Sequence, residues 1–177
     1  MRRHALALLF VAAAVLPAGT AGAQPAPPRD AFLQQLAGRW EMTGTLMGKP
    51  VHQRGEGSWV LKGGWLCFTI VDPNVPPAYQ AAVYIGFDAK AGDYIAHWLD
   101  QFGAAGARVV ATGQRDGQRL VLTFPYLEGA FRDTFVMEAA GARGTLLLES
   151  QHPDGHWSTF ASYQLRRPRA ATAAPAQ

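Results

Sequence analysis

The sequence predicts an all-β fold: a single antiparallel, up-and-down barrel of about ten strands, preceded by a short N-terminal helix. Two observations carry the prediction. Apolar and polar residues alternate with a period of two from residue 39 to residue 167. Turn signals rich in Gly, Pro and Asp interrupt that alternation at short, regular spacing, with no helical stretch between them. A meander this long leaves two unpaired edges unless it closes or sandwiches, and closure into a barrel removes them. The chain of 177 residues is 49% hydrophobic and 16% charged, which excludes a disordered protein, and its 19 glycines and 12 prolines supply the turns.

Residues 1–23 read as an export signal. Met1-Arg2-Arg3-His4 is a basic start, Ala5 to Leu16 an apolar run, and Ala21-Gly22-Ala23 the small-x-small pattern after which a signal peptidase cuts. The protein is therefore expected in the periplasm or secreted. The apolar run is short for a bilayer and no later segment approaches about 18 apolar residues, so no stable membrane insertion is expected. Residues 24–29 (QPAPPR) read as a linker, 30–168 as the single domain and 169–177 as a frayed tail.

Asp30 caps a short helix through Ala37, with Phe32, Leu33 and Leu36 on one face and Gly38 as a left-handed stop. An apolar helix ahead of a barrel serves as a plug or lid. The strands follow as 39–47, 51–61, 65–71, 80–88, 93–101, 107–115, 118–124, 131–139, 145–151 and 156–166. The first turns at Gly48-Lys49-Pro50, and Asp116-Gly117 and Pro153-Asp154-Gly155 mark later hairpins. The loop from Asp72 to Pro77 holds three prolines, which cannot join a ladder, and is expected at a portal or rim. Gly55, Gly57, Gly86 and Gly113 within strands permit the sharp bends of a small barrel.

Charge excludes a nucleic-acid partner. Without Arg2 and Arg3 the chain carries 14 basic against 13 acidic residues, and three of the basic ones, Arg166, Arg167 and Arg169, sit at the tail. The single cysteine, Cys67, rules out an internal disulfide and lies in an apolar run, where packing is its expected role.

The segments Leu36-Ala37-Gly38-Arg39-Trp40, Gly86-Phe87-Asp88, Tyr94-Ile95-Ala96-His97-Trp98-Leu99-Asp100, Phe131-Arg132-Asp133-Thr134-Phe135 and Gly155-His156-Trp157 occur in this order. Together they resemble an exported bacterial family of unknown function with a lipocalin-like, calycin-type barrel, over roughly Phe32 to Arg167. The resemblance implies the fold and export; that family brings no established reaction. A more distant resemblance links the chain to haem-binding, nitrobindin-type barrels, without a recognisable counterpart of their proximal haem histidine motif.

Alternation on strand 131–139 places Phe131, Asp133, Phe135 and Met137 on one face, so Asp133 is an acid among aromatics. Inside a barrel it needs a protein partner, or its pKa rises. It reads either as a structural carboxylate or as a polar anchor or general acid. On strand 93–101, Tyr94, Ala96, Trp98 and Asp100 share one face, while Ile95, His97 and Leu99 share the other; alternation leaves open which one looks inward. Trp40, Trp59, Trp65, Trp98, Trp157, Tyr84 and Tyr163 fall within strands, where they either fill the barrel or line a cavity.

No nucleophile elbow, phosphate loop, dinucleotide fingerprint or paired zinc spacing is present. The leading expectation is binding of a small hydrophobic molecule, with Tyr84, His97, Trp98, Asp100, Asp133 and Tyr163 as ligand-binding residues and no cofactor. Two alternatives remain. One is an isomerase- or lyase-type enzyme with Asp133 or His97 as acid or base and Tyr84 or Arg132 holding substrate. The other is a haem carrier through His97 or His156. Metal binding across His152, Asp154 and His156 is a lesser reading, for want of a fourth ligand. Oligomeric state leaves no mark in the sequence.

Overall fold

A computed structural model describes residues 28–139 and 141–169. The expected export signal, most of the 24–29 linker and the tail beyond Arg169 lie outside the described residues.

Helix α1 (Ala31–Leu36) leads into ten strands: β1 (Gly38–Leu46), β2 (Lys49–Val60), β3 (Trp65–Val71), β4 (Gln80–Asp88), β5 (Asp93–Asp100), β6 (Val110–Asp116), β7 (Arg119–Phe124), β8 (Phe131–Met137), β9 (Arg143–Gln151) and β10 (Trp157–Arg166). Each strand pairs antiparallel with its chain neighbours, and β1 closes on β10 from Glu41 opposite Arg166 to Leu46 opposite Ala161. The all-β, up-and-down barrel with a short helix in front is thus the observed architecture.

Local boundaries differ where hydrogen bonds outweigh pattern. The first hairpin turns at Met47-Gly48 rather than Gly48-Lys49-Pro50, because φ is positive at both residues (50° and 75°) and such a two-residue turn matches the strand twist. Strand β6 starts at Val110, three residues later than the alternation suggested. The Ala107 carbonyl is held by the His97 ring nitrogen at 2.6 Å instead of joining the ladder, and pairing begins at His97 opposite Val110.

Helix α1 closes one end of the barrel. The Asp30 carboxylate accepts from the Leu33 N–H at 2.9 Å, capping the first turn, and Gly38 leaves the helix with φ of 91°. Phe32, Leu33 and Leu36 are at most 1% exposed, wedged among inward side chains of the strands. The approach requires Gly57 opposite the helix: a Cβ there would stand 2.3 Å from the Leu36 carbonyl oxygen.

The far end of the helix is tied down as well. The Arg167 guanidinium donates to the Gln35 and Ala37 carbonyls at 2.7 Å each and lies 3.7 Å over the Trp40 ring. Trp40 in turn donates its indole N–H to the Leu36 carbonyl at 2.9 Å. Carbonyls that a helix end leaves without partners are therefore taken up by side chains from β1 and from just beyond β10.

Behind the plug the barrel is solid. Trp40, Met42, Leu66, Phe68, Tyr94 and Phe135 are buried and packed, with Phe68 and Phe135 edge to face at 5.8 Å. The opposite half is not filled, and the functional question lies there.

Candidate ligand cavity

A cavity of about 550 Å³ occupies the end of the barrel away from α1, a size suited to a small organic molecule. Its wall is built from strand ends on that side: Leu46 of β1, Gln53 of β2, Ile70 of β3, Trp98 and Asp100 of β5, Phe124 of β7, Phe131 and Asp133 of β8, Leu148 of β9, and Phe160 and Tyr163 of β10. Loops complete the mouth with Ala78 and Tyr79, Phe102 and Ala107, and Tyr126. Tyr79 follows the Asp72–Pro77 segment expected at a rim, and the Asp72 N–H bonds the Tyr79 carbonyl at 2.8 Å.

The choice that alternation leaves open on 93–101 is settled by register. Tyr94, Ala96, Trp98 and Asp100 point inward, while His97 pairs across to Tyr84 and Val110 on the outer face. Four of the six anticipated ligand-binding residues, Trp98, Asp100, Asp133 and Tyr163, therefore share one cavity.

Tyr84 and His97 do not join them. Tyr84 stands on the outside beside Cys67, and the His97 ring is occupied with the Ala107 carbonyl. Even-numbered residues along β4 face outward and odd-numbered ones inward, so no side-chain rotation brings Tyr84 to the cavity.

Arg132, considered as a substrate holder, also faces out. It bonds Glu149 at 2.8 and 2.9 Å and stacks over Trp157 at 4.1 Å. His152 and His156 stack on each other at the last hairpin, outside the cavity, with the His156 ring nitrogen on Asp154 and His152 on Ser158. Among the described residues no three His, Cys, Asp or Glu side chains converge to hold a metal ion. The cavity lining includes neither histidine nor cysteine among the described residues, so haem ligation through His97 or His156 does not fit this chamber.

Asp133 is the chemically distinctive group. It is 1% exposed, and neither carboxylate oxygen has a hydrogen-bond partner among the described residues. Its neighbours across the ladder are Leu122 and Leu148, which offer no donor from their side chains. Burial alone lifts its pKa to about 8, because removal from water penalises the charged form. The Gln53 side-chain oxygen is likewise buried without a partner among them.

Phenols crowd around these groups. Burial pushes Tyr163 up to about 12. It also raises Tyr79 and Tyr126, which the carboxylates of Asp100 and Asp133 lift further. Asp100 is the better-served acid, since it accepts the Phe102 N–H at 2.9 Å.

Sequence reasoning does not single out Gln53, Tyr79, Phe102 or Tyr126. Gln53 has the same strand parity as Gly55 and Gly57, which is a usable signal. The other three lie in loops, where alternation carries no information.

Fold and cavity together define a closed antiparallel β-barrel, plugged at one end by a helix and open at the other into an aromatic chamber. The chain is similar in structure to the crystal structure of Rv2717c from M. tuberculosis, with a TM-score of 0.53 and 14% sequence identity, covering 80% of this chain and 100% of that one. No protein-family model matches the chain, and no curated protein matches it in sequence. At that identity the likeness establishes the barrel fold.

Proposed function

We propose that this protein is an exported, lipocalin-like carrier that binds a small, largely apolar molecule in the barrel end opposite α1. The observation that carries the reading is Asp133, without a hydrogen-bond partner among the described residues and buried in the wall of an aromatic cavity of about 550 Å³. A buried polar group without a partner costs roughly 1–3 kcal/mol, so its retention in the wall is understandable when a ligand completes its hydrogen bonds. Export rests on the basic start, apolar run and Ala21-Gly22-Ala23 motif.

The test is mass spectrometry of organic extracts from the protein purified without detergent, beside an Asp133→Asn variant. A defined small molecule recovered from the first and depleted in the second supports the reading. A protein that is empty on isolation and fails to take up any small apolar molecule overturns it.

A second reading has its own observation. A carboxyl group held near a pKa of about 8 inside a cavity is suited to act as general acid or base near neutral pH. An isomerase- or lyase-type activity would then show a pH profile that Asp133→Asn abolishes, whereas a pure carrier shows no turnover with any ligand it binds.

A further inference from the structure

The cavity is acidic and, among the described residues, has no internal counter-charge. Asp100 and Asp133 both belong to its wall, and no Lys, Arg or His of that set lines it. Arg108, next to the lining residue Ala107, takes no part in the wall. The remaining side-chain polar groups are the Gln53 amide, whose orphaned oxygen accepts and whose NH2 donates, the Trp98 indole N–H and the hydroxyls of Tyr79, Tyr126 and Tyr163.

An apolar anion, such as a fatty acid, would meet two carboxyl groups and no cation. A ligand bringing N–H donors and positive charge would satisfy the orphaned oxygens of Asp133 and Gln53 and lie against the faces of Trp98, Phe124 and Tyr126, where ring quadrupoles attract cations.

We infer that the ligand of this barrel is an apolar amine, with its ammonium on Asp133 and its hydrocarbon portion along the aromatic wall. The inference rests on the binding function proposed above and names its ligand class. The usual obstacle to a buried ion pair is desolvation of both partners, but here the fold already keeps Asp133 out of water. The costs that remain are the hydration of the ligand's ammonium and the loss of the Asp133 proton, both set against a new ion pair with the carboxylate and contact with the aromatic wall.

Proton balance follows. In the empty cavity Asp133 is largely protonated near neutral pH. An ammonium ion that enters and pairs with the carboxylate therefore displaces that proton to solvent. Groups facing this event are Asp100 from β5, Tyr163 from β10 and Tyr79 and Tyr126 from the mouth loops.

Calorimetric titration with decylamine, decanol and decanoate, each below its micellar concentration, tests the inference. Decylamine is expected to bind about ten-fold to a hundred-fold more tightly than decanol, the range typical of a charged hydrogen bond, with decanoate weakest. Binding near pH 7 should release close to one proton per decylamine, measured by comparing buffers of different ionisation heat.

Asp133→Asn should bring decylamine to the affinity that decanol shows in the same variant and abolish proton release, with circular dichroism confirming the fold. Asp100→Asn, which leaves the buried acid in place, should keep the proton release. If decanol binds but decylamine gains nothing, or decanoate binds best, the amine inference fails while the binding reading stands. Binding of none of the three probes overturns both.

Discussion

Replacing Asp133 by asparagine should stabilise the protein, by an amount that depends on pH. The folded chain holds the Asp133 proton up to about pH 8, whereas an unfolded chain releases it near the ordinary carboxylic value of 3.8. Between those two values the native state binds the extra proton, so stability is full at low pH, declines as pH rises and levels off above about 8. Each pH unit in that window is worth about 1.4 kcal/mol, which amounts to on the order of 4 kcal/mol lost between acid conditions and pH 7.

Asparagine has nearly the same shape and no charge to bury. The difference in unfolding free energy between variant and parent should therefore be small near pH 4 and rise to several kcal/mol near pH 8. In thermal terms that is on the order of 10 °C for a chain of this size. Urea denaturation of both proteins across this range is the assay, with other titrating groups cancelling in the difference. A difference that stays flat with pH, or a parent that is the more stable protein at pH 8, would refute the claim that Asp133 is buried without a partner.

The remaining expectations concern the plug and the wall. Phe32→Ala empties a fully buried site in α1 and should cost about 3–5 kcal/mol by urea titration, while leaving β-sheet circular dichroism in place below the midpoint. Arg167→Lys keeps the charge but cannot reproduce the fork onto the Gln35 and Ala37 carbonyls, so a loss of about 1–3 kcal/mol is expected from the same measurement. Leu148→Trp projects bulk into the cavity and should weaken decanol binding at least about ten-fold by calorimetry, since the wall position offers the ring no other space. His97→Gln, on the outer face, should leave that affinity unchanged.

Much of the barrel is written locally. Period-two alternation marks the strands because one face of each must meet the core and the other water, and this parity holds along β1, β3, β4 and β9. The Asp30 cap and the Gly38 stop are legible for the same reason: each depends on the backbone of a few adjacent residues. Parity by itself also places Asp133 on one face with Phe131, Phe135 and Met137.

Alternation distinguishes two faces without saying which one is inside, so β5 is ambiguous between His97 and Trp98 until its register with β4 and β6 is formed. Tertiary structure likewise decides that aromatics fill the half of the barrel under α1 and only line the other half, because that depends on how ten strands and a plug divide one volume. It brings Arg167 to Trp40 and the helix end, and it leaves Asp133 between two leucines with no donor among the described residues. Sequence alone determined that an acid shares a strand face with core aromatics. The absence of a partner for it is a property of the neighbouring strands, and only closure of the barrel brings those strands together.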